Sequence, residues 1–348
     1  KETLGNDVDQ KGSLVAPEKL RFDFSHKKAV SNEELKKVED ICNEQIKENL
    51  QVFYKEIPLD LAKSIDGVRA VFGETYPDPV RVVSVGKPIE ELLANPANEE
   101  WTKYSIEFCG GTHVNKTGDI KYFVILEESG IAKGIRRIVA VTGTEAFEAQ
   151  RLAEQFAADL DAADKLPFSP IKEKKLKELG VKLGQLSISV ITKNELKQKF
   201  NKIEKAVKDE VKSRAKKENK QTLDEVKTFF ETNENAPYLV KFIDISPNAK
   251  AITEAINYMK SNDAVKDKSI YLLAGNDPEG RVAHGCYISN AALAKGIDGS
   301  ALAKKVSSII GGKAGGKGNV FQGMGDKPAA IKDAVDDLES LFKEKLSI

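Results

Sequence analysis

The sequence contains few of the side chains that bind metals or form covalent cross-links. Its 348 residues include three cysteines, three histidines, two methionines and one tryptophan. The cysteines stand far apart, at Cys42, Cys109 and Cys286, and no C-x-x-C spacing occurs. This pattern excludes a disulfide framework and favours a reducing compartment inside the cell. We expect Cys42 and Cys286 to be core thiols, because a free cysteine behaves as a small apolar side chain.

The sequence also lacks a long apolar stretch. No run approaches the ~20 residues that a membrane span requires, so we predict no membrane partner and a cytoplasmic location. There is no signal peptide and no initiator methionine. The first residues, Lys1-Glu2-Thr3-Leu4, are typical of a helix that is already under way. We therefore expect the chain to be a fragment of a longer protein.

Neither sign of charge is in excess, since 54 lysines and arginines balance 54 aspartates and glutamates. The average conceals a segregation, because residues 171–220 carry 16 basic and 7 acidic side chains, a net charge of +9. Global charge therefore indicates no nucleic-acid partner. A lysine-rich pair of helices is most often a solvated face, and contact with RNA or another subunit is the alternative.

Apolar periodicity divides the chain into three parts. In the first part, strand-like segments such as "RFDFS" and "GIRRIVAVTG" alternate with helical ones, which predicts an α+β domain. Prolines then interrupt the chain, and two basic helical stretches predict a helical hairpin that acts as a linker. The sequence after it predicts a separate helix over residues 222–232 and then alternating strands and helices, which together predict a compact α/β domain. The predicted boundaries are 1–155, 156–221 and 222–348.

The stretch "EFCGGTHVN", residues 107–115, places Cys109 and His113 in a C-x3-H spacing. It follows a predicted strand, and its two glycines allow a tight backbone turn. Thiolate and imidazole are ligands that zinc prefers, so both side chains could converge on one ion. Two ligands do not complete a site, and a loop with an incidental cysteine and histidine is the alternative. The other histidines, His26 and His284, are the candidates for completing it.

Three long motifs stand in order along the first part of the chain. They are "DQKGSLVAPEKLRFDFSH" (9–26), "EFCGGTHVNKTGDI" (107–120) and "ESGIAKGIRRIVAVTG" (128–143). Together they resemble the editing domain of alanyl-tRNA synthetases. In that family, zinc is held by the C-x3-H pair together with an H-x3-H pair that lies just before the segment opening this chain. The resemblance implies an incomplete zinc site here, with Cys109 and His113 as metal ligands.

The resemblance also implies hydrolysis of seryl- or glycyl-tRNA(Ala) made in error. Gln10 matches a pocket position of the family, where its amide could contact the amino acid or the terminal ribose. A solvated turn residue is the alternative. Arg136 and Arg137 are the other candidate catalytic residues. Neighbours on a strand face opposite sides, so only one of them can point at the pocket, and the sequence leaves open which one.

The segment "GGKAGGKGNVFQGMG", residues 311–325, holds seven glycines, and we predict a glycine-rich loop between two helices. It is not a P-loop, because Gly318 stands where Ser or Thr must hold magnesium. It resembles the glycine-rich motif of the C-terminal domain of alanyl-tRNA synthetases. Ala314 and Lys317 depart from the glycine and arginine often found there. Backbone amides and lysines can bind RNA phosphates. The predicted RNA-binding residues are Lys313, Lys317, Gly315 and Gly316.

These resemblances imply part of an alanine–tRNA ligase of the eukaryotic cytosolic type, with tRNA(Ala) as partner. Charging of tRNA needs ATP and magnesium, and nothing in the chain resembles that site. We expect those cofactors only in an absent aminoacylation domain. One alternative is a free-standing editing protein acting in trans. Another is a non-catalytic fragment that binds RNA or dimerises. The sequence leaves open whether the chain is a monomer or a homodimer.

Overall fold

The computed structural model describes residues 1–71, 74–276 and 280–347. Contacts divide the chain into two compact units, Lys1–Lys205 and Ala206–Ile348. The first combines antiparallel sheets with helices, and the second is a sheet with helices on both faces. This confirms the predicted fold class: an α+β part, a helical region and a second α/β part.

The first unit contains two antiparallel sheets. One has the strand order β1-β2-β7-β6 and the other the order β3-β4-β5, so β1 and β3 are edge strands. The α+β prediction missed both of these edge strands. The strands are β1 (Gln10–Ala16), β2 (Lys19–Ser25), β3 (Val52–Ile57), β4 (Val80–Val85), β5 (Ile106–Phe108), β6 (Phe123–Ala132) and β7 (Ile135–Thr142).

The helices of the first unit begin where the sequence offers caps. The hydroxyl of Ser31 accepts a hydrogen bond from the N–H of Glu34, and the Glu34 carboxylate accepts one from the N–H of Ser31. This reciprocal capping box starts the first helix as predicted. The helices are α1 (Asn32–Glu48), α2 (Leu59–Lys63), α3 (Ile89–Ala94), α4 (Gly143–Lys165), α5 (Pro170–Gln185) and α6 (Val190–Thr232), of which α6 continues into the second unit.

Each sheet of the first unit has its own apolar core. Phe24, Ile125 and Leu35 pack between the four-stranded sheet and α1. Val82 and Trp101 belong to the core of the three-stranded sheet. Burying one such side chain stabilises the fold by roughly 1.5–3 kcal/mol. These cores fix the strand register, and the register decides which side chains share a face.

The second unit is built on a sheet with the order β11-β12-β10-β9-β8, in which only the β8–β9 pairing is parallel. Phe342 belongs to the core on one face of the sheet, and Ile252 and Phe230 belong to the core on the other. The elements are β8 (Tyr238–Ile243), α7 (Ala249–Ser261), β9 (Ser269–Ala274), β10 (Val282–Tyr287), α8 (Asn290–Ala294), α9 (Gly299–Ile310), β11 (Lys313–Lys317), β12 (Val320–Gly325) and α10 (Ile331–Leu346).

Three sequence predictions about secondary structure were wrong. Residues 2–4 form a turn and not the end of a helix. The glycine-rich segment is a β-hairpin and not a loop, because Gly318 adopts the positive φ of 64° that a two-residue turn accepts. The predicted separate helix 222–232 is the end of α6, because no proline or glycine interrupts residues 190–232. None of the helices in the described part of the chain is long and apolar enough to span a bilayer.

Candidate functional site

The C-x3-H segment leaves the sheet directly after β5. The N–H of Cys109 donates to the carbonyl oxygen of Arg81 on β4 (3.2 Å). A side chain at Gly110 would meet nothing within 4 Å, and one at Gly111 would lie 3.5 Å from Sγ of Cys109. Cys109 is half-buried and His113 is exposed. His113 is therefore open to solvent, and Cys109 only in part.

Arg81 holds this loop from the neighbouring strand. Its guanidinium donates a hydrogen bond to the carbonyl oxygen of Gly111. Burial, and next the positive charge of Arg81, lower the pKa of His113. A neutral imidazole is the form that binds a metal. Arg81 thus fixes the backbone of the loop and favours the ligating form of its histidine.

The donor types of the loop fit zinc, but their number does not. A thiol and an imidazole are two of the ligands that zinc prefers, and a structural site needs four. Among residues 1–71, 74–276 and 280–347, no group of three or more His, Cys, Asp and Glu side chains is arranged to hold a metal ion. The described residues therefore bring no third donor of these types together with Cys109 and His113.

The structure gives the two remaining histidines other surroundings. The N–H of His26 donates to the carbonyl oxygen of Gly134 (3.0 Å) at the end of the β2–β7 pairing. His284 lies on β10 and is 1% exposed. Its Nδ1 is 2.8 Å from the hydroxyl of Tyr271, and its Nε2 is 3.4 Å from the hydroxyl of Ser307. His284 is therefore a hydrogen-bonded core residue.

Gln10 begins β1, at an irregular point of the strand. The pairing with β2 shifts between Gln10 and Gly12, so a bulge lies beside the candidate residue. Its side-chain amide donates to the hydroxyl of Ser13 (3.2 Å). The preceding residue is tied to β2, because the Asp9 N–H donates to the hydroxyl of Ser25 (2.9 Å). Bulges commonly re-aim a side chain, which is compatible with a pocket role for Gln10.

Both candidate arginines of β7 form bidentate ion pairs with carboxylates. Arg137 donates through Nε and Nη2 to the carboxylate of Asp23 at 2.7 and 2.8 Å. Arg136 donates in the same way to Glu128 at 2.5 and 2.7 Å. The Arg137 guanidinium lowers the pKa of Asp23. The two arginines face opposite sides, as predicted, and each is paired within the sheet through Nε and Nη2.

The glycine hairpin forms one edge of the second sheet. Lys313, Gly315 and Lys317 alternate along β11 and share one face, and the two lysines are exposed. Gly316 lies on the other face, where an added side chain would come within 2.1 Å of the carbonyl oxygen of Val320. The lysines are thus available to a ligand. Gly316 is needed for close approach of the two strands.

Sequence reasoning did not single out Tyr54 and Arg81. Tyr54 lies on β3, and its side chain is 62% exposed. The guanidinium carbon of Arg81 is 4.5 Å from the centre of the Tyr54 ring. The available signal was the segment "VFYKEI", which is rich in strand-forming residues. The position of Arg81 beside Tyr54 could not be predicted, because it depends on the register of β3 against β4.

Three family models match separate segments of the chain. The model described as "Threonyl and Alanyl tRNA synthetase second additional domain" matches residues 80–139, which contain the C-x3-H loop and β7 arginines. The model described as "Alanine–tRNA ligase domain" matches residues 146–210. The model described as "DHHA1 domain" matches residues 235–344 and includes the glycine hairpin.

Curated relatives match almost the whole chain. An alanine–tRNA ligase of Candida albicans is 60% identical over 99% of this chain and 35% of the relative. One of Schizosaccharomyces pombe is 49% identical over 100% of this chain and 36% of the relative. A cytoplasmic alanine–tRNA ligase of Drosophila melanogaster is 36% identical over 99% and 36%. The chain therefore spans about a third of the length of these relatives.

Among solved structures, the crystal structure of the C-Ala domain from Aquifex aeolicus alanyl-tRNA synthetase matches 31% of this chain and 92% of that chain. The two share 13% sequence identity, with a TM-score of 0.26.

Proposed function

Because the chain belongs to the alanine–tRNA ligase family, we propose that its first unit hydrolyses seryl- or glycyl-tRNA(Ala) formed in error. We further propose that its second unit binds tRNA(Ala). The observation that carries the first proposal is the exposed loop with Cys109 and His113, held by Arg81 within the segment that matches the synthetase model. The glycine hairpin with its exposed lysines supports the second.

The proposed chemistry is hydrolysis of the ester that joins an amino acid to the terminal ribose. Zinc bound by Cys109 and His113 would supply a Lewis acid beside that ester. The chain's own side chains would orient the substrate. The Gln10 amide can both donate and accept hydrogen bonds, which suits contact with the amino acid or the ribose. Arg81 keeps the loop in place through the Gly111 carbonyl.

The experiment compares the chain with a version extended at its amino end by the residues that precede the matched region in the Candida albicans relative. Zinc per chain is measured after dialysis, and seryl-tRNA(Ala) deacylation is timed. We expect well under one zinc and slow hydrolysis for the chain alone, and about one zinc with rapid hydrolysis after extension, because two ligands leave the other positions to water.

In the extended protein, Cys109→Ala should abolish both zinc binding and hydrolysis. Cys42→Ala is the matched control, since that thiol lies on α1 and burial raises its pKa to about 11. Gln10→Ala should slow hydrolysis less than Cys109→Ala, because Gln10 is assigned a pocket contact and not a metal bond. Undiminished hydrolysis by the Cys109 variant would refute the zinc assignment. Binding of tRNA without hydrolysis by the extended protein would favour the non-catalytic alternative.

Charging of tRNA with alanine, which uses ATP and magnesium, is assigned here to parts of the relatives that this chain does not match. The chain covers 35% of the Candida albicans protein. A cytoplasmic location is proposed, because relatives from Drosophila melanogaster, Dictyostelium discoideum and Caenorhabditis elegans carry that word in their names.

A further inference from the structure

Tyr54 lies on the open edge of the three-stranded sheet. Within the three-stranded sheet, its strand, β3, pairs with β4, and on the other side the N–H of Val52 donates to the carbonyl oxygen of Asn115 (2.9 Å). Tyr54 stands opposite Val83 and Glu56 opposite Arg81, so Tyr54 and Arg81 are diagonal neighbours on the same face. The Tyr54 side chain is 62% exposed, which is unusual for an aromatic ring of this size. One face of the ring is covered by the Arg81 guanidinium at 4.5 Å, which leaves the rest of the ring accessible.

Arg81 joins this ring to the C-x3-H loop. The same guanidinium that covers Tyr54 donates to the carbonyl oxygen of Gly111, midway between Cys109 and His113. An exposed aromatic ring, a fixed arginine and the two zinc-type donors are therefore connected through one side chain. If a substrate reacts at the loop, the part of the substrate next to the reacting bond would lie beside Tyr54.

The chemistry of this pair fits a nucleotide. Proteins hold unpaired bases by stacking them on aromatic rings and on arginine planes, and arginine N–H groups bind phosphate and ribose oxygens. The ester of an aminoacyl-tRNA is on the ribose of the last nucleotide, so the nearest base to the reacting bond is that of the same nucleotide.

We propose that Tyr54 and Arg81 form the binding site for the 3′-terminal nucleotide of the RNA, with its base stacked on the Tyr54 ring and its ribose-phosphate at Arg81. The inference rests on the proposed editing function and adds to it the residues that hold the RNA end. A cation–π pair that only stabilises the sheet is the competing explanation. The two explanations make different predictions. Only nucleotide binding makes the effect of a Tyr54 substitution on RNA affinity depend on the presence of the terminal nucleotide.

The test measures binding of the full chain to two RNAs. One is a tRNA(Ala) transcript ending in CCA, and the other is the same transcript without its last adenosine. We expect Tyr54→Ala to weaken binding of the complete RNA by roughly 5- to 150-fold, the range measured for loss of one stacked base. Binding of the shortened RNA should change little. Tyr54→Phe keeps the ring and should keep the preference for the complete RNA.

Phe147→Ala is the matched control. That ring is also exposed (50%), but it stacks on Tyr122 at 5.7 Å and is not connected to the C-x3-H loop. It should leave the ratio of the two affinities unchanged. A second readout uses 2-aminopurine in place of the last adenosine. Its fluorescence should be quenched by the wild-type chain and by Tyr54→Phe, and not by Tyr54→Ala.

The outcomes separate this inference from the proposed function. If the wild-type chain binds neither RNA, both proposals are wrong. If it binds both RNAs but Tyr54→Ala retains the full preference for the complete one and still quenches 2-aminopurine, the inference alone is wrong. If Arg81→Gln retains wild-type affinity for the complete RNA, the part assigned to Arg81 is refuted. Far-UV circular dichroism of each variant verifies that the substitution leaves the fold intact.

Discussion

A side chain added at Gly110 would meet nothing within 4 Å, whereas one added at Gly323 would lie 2.3 Å from Nε2 of His284. The two glycines belong to the two motifs that carry the proposed functions. In the C-x3-H loop, glycine provides an exposed turn, and Cys109 and His113 supply the chemistry. In the hairpin, glycine makes room for atoms of neighbouring strands.

The difference teaches that a glycine-rich sequence does not by itself expose backbone to a ligand. At Gly312, a side chain would come within 1.9 Å of the carbonyl oxygen of Met324, and at Gly316 within 2.1 Å of that of Val320. Gly315 and Gly318 are the exceptions, with open space around both. RNA binding by the hairpin is therefore assigned to Lys313 and Lys317 more than to its glycines.

The largest expected effect tests whether the glycines of the hairpin are needed for close packing. Gly323→Ala would press on His284 and, at 2.6 Å, on the carbonyl oxygen of Lys313. Overpacking of this kind typically costs 1–3 kcal/mol, and we expect about 3 kcal/mol here because one obstacle is backbone. Gly315→Ala should change stability by less than about 0.5 kcal/mol, as for other exposed sites.

Urea unfolding can assign this effect to the second unit. Trp101 is the one tryptophan of the sequence and lies in the core of the first unit, so its fluorescence follows that unit. Far-UV circular dichroism follows both units. Gly323→Ala should shift part of the dichroism transition to lower urea and leave the tryptophan transition in place. Equal stability of the two glycine variants would remove the distinction drawn between packed and open glycines.

A second prediction concerns His284, the residue that packs against Gly323. Burial lowers its pKa to about 4, against about 6.5 in an unfolded chain. Above pH 6.5 the side chain is neutral in both states. As pH falls from 6.5 to 4, the unfolded state takes up a proton that the folded state does not. The second unit should therefore lose up to about 3 kcal/mol of stability across this window.

The measurement is the free energy of unfolding of the second unit at several pH values between 7 and 4. His284→Gln keeps a hydrogen-bonding side chain but has no such titration, so the difference between wild type and variant should shrink steadily as pH falls. Comparing differences removes the contribution of the carboxylates that titrate in the same range. A constant difference would show that His284 has the same pKa in the folded and unfolded states, which would contradict its buried position.

A third prediction asks whether the first unit also contains a tightly packed polar centre. Asp23 is 6% exposed and accepts both hydrogen bonds from Arg137, with Arg21 at 3.6 Å. Asp23→Ala would leave two partly buried cations without their partner. We expect a loss of about 2 kcal/mol, at the lower end of values for broken buried pairs because Arg137 is partly exposed. Tryptophan fluorescence in urea measures it.

The same pair predicts how Arg137 behaves. If its role is structural, Arg137→Ala should lower the unfolding midpoint about as much as Asp23→Ala, and the double variant should cost little more than either alone. An Arg137→Ala protein of wild-type stability would show that the ion pair contributes nothing. That result would favour a direct catalytic role for Arg137.

How far the sequence predicted these features depends on whether they are local. The C-x3-H loop follows from the chain alone, because strand, turn and both side chains lie within eleven residues. The β11–β12 hairpin did not, since glycine disfavours strands and pairing with β10 supplies the stabilisation. The opposite facing of Arg136 and Arg137 was predictable from strand geometry. Their partners, Glu128 and Asp23, were not, because strand register is set by distant contacts.

The smallest expected effect concerns the lysines of the hairpin. Both Lys313 and Lys317 are exposed on one face of the edge strand β11. Six lysines and two aspartates lie between residues 295 and 327, so the surroundings are basic. Lys313→Ala with Lys317→Ala should weaken tRNA binding by roughly 1–2 kcal/mol, since exposed charge-assisted contacts to phosphate are individually modest. The slope of log affinity against log salt should fall by about one to two units.

The matched control for this double variant is Lys174→Ala with Lys177→Ala on α5, within the basic region 171–220. The two pairs remove equal charge, so a general electrostatic effect would weaken binding equally. Titrations at two salt concentrations separate the cases.

A loss of tRNA affinity confined to the hairpin variant supports RNA contact by its lysines, which position the RNA through phosphates without reading bases. Unchanged affinity and slope for the hairpin variant, with a loss for the α5 variant, would transfer the RNA surface to the basic helices and leave the glycine hairpin a purely structural element.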